Sequence, residues 1–366
     1  MENSKEITTL AQKFKIMNSN FNITIGIPIY NVEKYIKKSL LSALNQDFDG
    51  KIEILIINDS TQDNSMTIVN SIANSHPNGK NIRILNQPEN KGLSIARNTI
   101  IDNCQGEYLL FMDSDDYISN DCISILYKEA ISHNADVVYG AIKTVDENGA
   151  PLDIGQEYLI QEYKVLCKKD EFGSYVFRDM HQYVRDYATN TLFNVSFIKK
   201  NNFYFKSVRF YEDVMFSADI VPLVSRGVIV PNVTYYYVIR SNSLSNYQGR
   251  EKINLEEIKQ FINIFTYIKN KNKFLKDKPY YEARCARSMV QMLFILSGAL
   301  KNRKVITPPL SNRMIKDAMK HPASLLEIVR FKKHCLVNLL FYVIGILPSW
   351  LSAAIVIGIA KKKKLI

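Results

Sequence analysis

The sequence is poor in cysteine, in phosphate-binding glycine loops and in acidic residues near its C-terminal end. Its five cysteines (Cys104, Cys122, Cys167, Cys285, Cys335) stand far apart, without a CxxC pair or a neighbouring histidine. That excludes a disulfide framework and a zinc knuckle and fits a reducing compartment. The five histidines (His76, His133, His181, His321, His334) have no metal-ligand spacing. Residues 1–22 are polar and carry no apolar h-region, so no signal peptide is expected and the chain should begin in the cytosol. No internal repeat is present, and no glycine- and lysine-rich phosphate loop of the kind a nucleotidyltransferase typically uses. What remains, 46% hydrophobic and 23% charged residues over a length of 366, is an ordinary folded chain with room for roughly two units. Disorder and a polytopic membrane protein are excluded.

The formal net charge of +11 suggests nucleic acid until its distribution is examined. Residues 1–266 carry a net −5, and residues 267–366 a net +16, with only four acids among them. A nucleic-acid-binding core is basic where its motifs lie. Here the motif-bearing part is slightly acidic, so no nucleic-acid partner is expected.

From Ile23 the pattern alternates between short β-branched runs and helical periodicity. Ile23–Ile29, Ile52–Ile57, Ile82–Leu85 and Glu107–Met112 have the pattern of buried strands. Helical spacing lies between them at Ile36, Leu40 and Leu44, at Ile68 and Ile72, and from Gly92 to about Cys104. Such alternation predicts an α/β fold of right-handed βαβ units, a mostly parallel sheet flanked by helices. Ligands bind beyond the carboxyl ends of such strands. Polar clusters follow each strand: Tyr30-Asn31, Asn58-Asp59, Gly92–Asn98 and Asp113–Asp116. Past Asp136–Tyr139 the alternation loosens. Val214–Leu223 is expected as a helix, and Val228–Val230 and Val233–Val238 as strands, before a basic helical stretch from about Glu251.

Asp113-Ser114-Asp115-Asp116 is the sharpest local signal. Carboxylates crowded beyond a buried strand repel one another unless a cation lies between them, and oxygen ligands suit Mg²⁺ or Mn²⁺. Acids capping a helix start are the other reading. Asp59, next to a strand end, is placed to accept hydrogen bonds from a base edge, and Tyr30 to stack on the base. Asp63 and Asn64 are expected to cap the following helix. Gly92, Ser94 and Arg97 offer a helix N-terminus and a guanidinium suited to a diphosphate. Glu212 and Asp213, among Phe210, Tyr211 and Phe216, are candidates for a general base or for acids at a helix start.

Taken together, residues of about 20–250 resemble the family 2 glycosyltransferases of the GT-A, Rossmann-like fold. The resemblance rests on Pro28–Ile36, Asn58–Ser65, Asn90–Asn98, Gly106–Asp116, Tyr211–Phe216 and Tyr235–Asn246, six motifs in the family's order. It implies transfer of a hexosyl group from a nucleotide-sugar, a UDP-sugar favoured, to a hydroxyl of a saccharide or lipid-linked acceptor, with inversion and with Mn²⁺ or Mg²⁺. By the same resemblance Pro28 and Tyr30 would line the base pocket, Asp59 would read the base and Arg97 would serve the donor loop. Asp113 would meet the ribose, Asp115 would hold the metal, and Asp213 would act as base beside Glu212. Arg240 and Ser243 would belong to a loop over the donor. The chain departs from the family's Asp-Asp-Gly-Ser at Asn58-Asp59-Ser60-Thr61, where a serine in a positive-φ turn implies strain. Asn190-Thr191-Leu192-Phe193 lacks the family's lysine, and no Gln-x-x-Arg-Trp motif occurs, which argues against a processive synthase.

Cys335–Ala360 contains no charged residue, with Lys332-Lys333 before it and Lys361–Lys364 after. Pro348 splits it into pieces of 13 and 12 residues, each short of the ~20 that a spanning helix needs. An interfacial or re-entrant hairpin is expected, with residues 335–364 and Trp350 meeting a membrane surface; a single kinked span or a buried oligomerisation helix are the alternatives. The resulting domain expectation is a polar lead (1–22), a nucleotide-sugar-binding half (23–140), an acceptor-binding half (141–250), a basic helical extension (251–334) and the membrane-associating tail (335–366). The expected site of action is the cytoplasmic face of the cell membrane, in bacterial surface-polysaccharide synthesis. A non-catalytic, glycosyltransferase-like scaffold is the alternative function.

Overall fold

The computed structural model describes residues 21–152, 162–179, 187–240 and 253–365. Two compact units emerge. Among the described residues the first comprises 21–152, 162–172, 187–220 and 224–240, and the second 173–179, 221–223 and 253–365.

The first unit begins with the alternation expected from sequence: β1 (Phe21–Ile29), α1 (Ile36–Leu44), β2 (Ile52–Asn58), α2 (Ser65–Ser75), β3 (Ile82–Asn86), α3 (Leu93–Asn103) and β4 (Gly106–Phe111). Ile23, Ile25, Ile27 and Ile29 are fully buried, as are Leu55, Ile56 and Ile57 of β2. Such near-continuous apolar strands are what a parallel sheet covered on both faces requires. Two close approaches fix the packing. A Cβ on Gly26 would lie 2.4 Å from Ile100 of α3, and one on Gly106 would lie 2.4 Å from the Thr24 backbone nitrogen.

The chain continues through β5 (Tyr117–Ile118), α4 (Cys122–Ser132), β6 (Val137–Val145), β7 (Lys164–Leu166), β8 (Thr191–Asn194), α5 (Val195–Lys200), α6 (Glu212–Ile220) and β9 (Gly227–Val238). The sheet order is β3-β2-β1-β4-β8-β6-β9-β5, with β7 also on β9. The longest ladders, β1 with β2 and β6 with β9, are parallel, whereas β8 runs antiparallel to both β4 and β6. The two strands expected at 228–230 and 233–238 form one strand. Its register against β6 shifts between Tyr139 and Ile142, and Pro231 and Asn232 are exposed at that irregularity. A bulge accommodates the proline's missing N–H without ending the strand.

Because β1 lies between β2 and β4, the chain winds outward through β2 and β3 and then returns to the other side of β1. The crevice beyond the carboxyl ends of β1 and β4 is therefore the topological switch point of this sheet.

The second unit holds a two-residue parallel pair, β10 (Ile253–Asn254) with β11 (Ile306–Thr307), and the helices α7 (Leu255–Lys271), α8 (Tyr281–Lys301), α9 (Asn312–Ala318), α10 (Leu325–Ile328), α11 (Cys335–Ile346) and α12 (Ser349–Lys362). Asn254 caps α7 by accepting from the Glu256 N–H, and Ser324 and Glu327 make a reciprocal capping box on α10. The break between α11 and α12 falls at Leu347-Pro348. Leu347 is extended (φ −62°, ψ 161°), the conformation forced on a residue before proline. Among the described residues no helix is long and apolar enough to cross a membrane.

Lys269 on α7 is buried, donating to the Ala318 carbonyl, and burial pushes its pKa down to about 8, with Lys273 and Lys320 adding to the effect. Below pH 8 the ammonium is charged in both folded and unfolded chains, and folding bears the full cost of burying it. Between pH 8 and the ordinary lysine value the unfolded chain holds the proton more tightly, so stability rises with pH. Lys269→Met should therefore raise the thermal unfolding midpoint at pH 7, by roughly 1–3 kcal/mol of stability. The gain should shrink at pH 10, and equal gains at both pH values would contradict this account.

Candidate active site at the switch point

Three carboxylates and one arginine form the centre. Arg97, on the inner face of α3 and 2% exposed, reaches in two directions. Its Nη2 donates to Asp113 Oδ1 at 2.8 Å and its Nη1 to Glu212 Oε1 at 2.8 Å. Asp113 follows β4 and Glu212 opens α6, so one guanidinium joins these two elements, itself 115 positions from Glu212. Beneath it the Phe205 ring lies 5.3 Å from the guanidinium carbon, stacked on Phe216 at 4.0 Å. Asn98 holds this floor in place by exchanging two hydrogen bonds with the Phe205 backbone. Burial disfavours the arginine's charge, but Asp113 and Glu212 more than offset that and raise its pKa.

The sequence expectation for Arg97 is a diphosphate contact; in the structure both arms of its guanidinium hold carboxylates of the chain itself. Glu212 is thereby committed to a cation. Asp213 beside it has no ion pair among the described residues; its carboxylate accepts from the Val214 N–H. Burial first, and the neighbouring Glu212 second, push its pKa well above the ordinary carboxylate range, with Arg97 pulling the other way. The two acids thus differ: Glu212 is bound to Arg97, and Asp213 holds its proton more tightly than an ordinary carboxylic acid.

The Asp113–Asp116 turn carries two further acids. Asp115 pairs with Arg240, whose guanidinium also lies 5.0 Å from the Tyr35 ring. Burial and the charge of Asp113 raise the Asp115 pKa to about 6. Asp116, to which sequence reasoning gave no role, is buried beneath the turn. Its Oδ2 accepts from the Tyr235 hydroxyl at 2.8 Å and its Oδ1 from the Val238 N–H at 2.8 Å. The same tyrosine oxygen accepts from the Asp113 N–H at 3.2 Å. Tyr235 and Asp116 thus lock the turn to the end of β9, the strand that leads to Arg240. The available signal was the Tyr235-Tyr236-Tyr237 run: strand alternation sends Tyr235 inward, while Tyr236 stacks on Tyr117 at 4.7 Å. Tyr235→Phe strands a buried carboxylate oxygen and a backbone N–H. It should cost about 1–3 kcal/mol in denaturant unfolding; an unchanged midpoint would deny Tyr235 this role.

At the other strand ends Tyr30 is 46% exposed beyond β1, and Pro28 is buried within that strand. Asp59, expected at a base edge, is 3% exposed and accepts from the Lys91 and Gly92 N–H groups at 2.8 and 2.9 Å. It therefore anchors the turn entering α3, where Gly92 has φ +84°. Ser60 takes φ +57°, the strained conformation implied by its place in the motif, costing about 1–2 kcal/mol relative to glycine. Asp63 accepts from the Glu33 and Ser65 N–H groups, tying this loop to the end of β1. Ser243 lies outside the described residues. Among the described residues no group of three or more His, Cys, Asp or Glu side chains could by itself hold a metal ion.

A family model described as Glycosyl transferase family 2 matches residues 24–201, the segment that contains β1 to β4, Arg97 and the acidic turn. Residues 24–201 are a family 2 glycosyl transferase domain. Curated relatives are partly covered. The glycosyltransferase GlyA of Streptococcus pneumoniae is 30% identical over 227 residues, 61% of this chain but 31% of GlyA. An uncharacterized glycosyltransferase of Haemophilus influenzae is 30% identical over 150 residues, 41% of this chain and 58% of that protein. The chain thus spans less than two thirds of either. Among solved structures, Staphylococcus aureus TarS 1–349 in complex with UDP superposes with a TM-score of 0.58 at 17% identity, covering 88% of this chain and 90% of that one. That likeness establishes the GT-A fold of the family 2 domain.

Proposed function

We propose that the protein transfers a sugar, with inversion, from a nucleotide-sugar to a hydroxyl of a saccharide acceptor in bacterial surface-polysaccharide synthesis. The observation that carries this reading is the pairing across Arg97. On one side stands the acidic turn beyond β4, which would meet a nucleotide diphosphate through a divalent cation; on the other stands Asp213, a half-buried carboxylate of raised pKa with no ion pair among the described residues. A UDP-sugar is the favoured donor, supported by the fold shared with a protein solved with UDP.

The chemistry is a single displacement at the anomeric carbon. Asp213 accepts the acceptor's hydroxyl proton as the oxygen–carbon bond forms. The bond from the anomeric carbon to the diphosphate breaks, and its electron pair leaves on the phosphate oxygen. Proton transfer of this kind contributes typically about 10²–10⁴-fold. Glu212, held by Arg97, keeps α6 and hence Asp213 in position. Tyr30 offers the exposed ring for the base, and Asp113 an oxygen for the ribose.

Asp113 and Asp115 present oxygen only, the donor type that a hard divalent cation takes, and a cation there would share them with Arg97 and Arg240, with which they pair in this structure. Asp115 would hold Mn²⁺ or Mg²⁺ together with donor phosphate oxygens and water. When bound, the ion supplies charge neutralisation to the diphosphate.

The deciding experiment is a panel of UDP-, GDP- and dTDP-sugars with Mn²⁺, read by thermal shift and by release of the nucleoside diphosphate. A response to UDP-sugars is expected. Silence toward every donor would overturn the enzyme reading in favour of a non-catalytic scaffold. Asp115→Ala should abolish the Mn²⁺-dependent part of nucleotide affinity, and equal affinities with and without Mn²⁺ in the wild type would remove the metal role.

A further inference from the structure

The two C-terminal helices are built inside out. A surface helix normally turns its polar residues to water and its apolar ones to the core. On α11 the one strongly polar side chain, Asn338, is fully buried. It donates to the Glu282 and His334 carbonyls at 3.2 and 2.8 Å, and its oxygen lies 2.9 Å from His321 Nε2. On α12 Ser352 is likewise buried, donating to the Ile344 carbonyl at 2.6 Å. The outward positions are apolar: Leu336 is 83% exposed, Leu340 49%, Val343 39% and Ile346 60%, and Trp350 at the start of α12 is 65% exposed. The spacing of the four α11 positions places them on one stripe of the helix.

Charge brackets this stripe. Lys332 and Lys333 precede α11, and Lys361 to Lys364 close α12; all six are exposed, and no charged residue lies between the two clusters. An apolar stripe with cations at both ends fits an anionic lipid surface, with tryptophan at the headgroup level. Crossing is not available. The 12 residues of α11 extend about 18 Å, against a hydrocarbon core of about 30 Å. A second copy of the chain fits poorly, since the last hundred residues carry a net +16 and would repel their like.

We propose that α11 and α12 seat the protein flat on an anionic bilayer, the apolar stripe entering the headgroup–acyl boundary and the lysine clusters resting on headgroups. The inference concerns the second unit alone and stands or falls apart from the sugar-transfer reading.

Trp350 is the chain's single tryptophan, so its fluorescence reports this face without ambiguity. Full-length protein is mixed with vesicles of phosphatidylglycerol and phosphatidylcholine, or of phosphatidylcholine alone, and assayed by flotation and Trp350 emission. Flotation and a blue shift are expected with the anionic vesicles, weakening in high salt. The triple variant Leu336→Gln, Leu340→Gln, Ile346→Gln alters only exposed positions and should lower partitioning at least about tenfold, with the thermal unfolding midpoint close to wild type. Two results overturn the proposal: no flotation with anionic vesicles, or a blue shift without vesicles that follows protein concentration and tracks a dimer in sedimentation.

Discussion

Asp213→Asn is expected to lower transfer turnover by about 10²–10⁴-fold while leaving donor affinity close to wild type. The amide keeps the size of the carboxylate and loses its basicity. Donor contacts are assigned elsewhere, to Tyr30 and to the turn at Asp113–Asp115, so binding should persist. The pH dependence supplies a second signature. A general base works deprotonated, so wild-type kcat/KM should climb with pH along a limb displaced above the ordinary carboxylate range, in the direction that desolvation and Glu212 push Asp213. The residual activity of the variant should lack that limb. Stability moves the opposite way. A carboxyl whose folded pKa exceeds its unfolded pKa favours folding while protonated, and that contribution disappears as pH rises through the folded value. At a pH above that folded value the wild type carries an ionised, half-buried acid beside Glu212, and there the neutral asparagine should unfold at a higher temperature. A variant that is slower yet more heat-stable cannot be dismissed as misfolded. Turnover near wild type would remove Asp213 from the base role and leave Glu212 to be tested by the same substitution to glutamine.

The strands and helices before Asp113 were legible because each buries a run of its own sequence. Ile23–Ile29 and Ile52–Ile57 were expected as strands, and β1 and β2 differ from them by a residue or two. Periodicity could not show that β8 enters the sheet antiparallel between β4 and β6, since Thr191–Asn194 is too short to carry a period and its place depends on distant partners. The site divides in the same way. The acidic turn, Arg97 and Glu212-Asp213 are visible as residue types at element ends. Their partners are not, because Arg97 meets Glu212 across 115 positions and Tyr235 meets Asp116 across 119. Sequence reading therefore aimed Arg97 and Asp59 outward at a ligand, where the fold turns them inward onto Glu212, Asp113 and the Lys91-Gly92 backbone.

That inward turn makes Arg97→Met the substitution with the largest expected effect on stability. Methionine fills much of the arginine's volume over Phe205 but removes both ion pairs, leaving Glu212 and Asp113 among Asp213 and Asp115 with no guanidinium between them. Breaking a buried pair from one side typically costs about 3–5 kcal/mol, a large share of the about 5–15 kcal/mol that holds a domain together. A marked fall in the urea midpoint is the expected result. Arg97→Lys should recover only part of it, because one ammonium does not bridge two carboxylates held at the ends of a planar fork. The double variant Arg97→Met, Glu212→Gln separates repulsion from lost packing. If the cost is uncompensated charge, neutralising Glu212 should return stability, with a coupling energy of about 0.5–3 kcal/mol; strict additivity would mean that Arg97 acts through packing alone. Function distinguishes this lesion from the loss of the base. Asp213→Asn should affect turnover and spare nucleotide affinity, whereas Arg97 holds the acidic turn through Asp113 and α6 through Glu212. Relaxing it should weaken donor binding and turnover together, and a variant that lost only one of them would show that the two sides of the site are positioned independently.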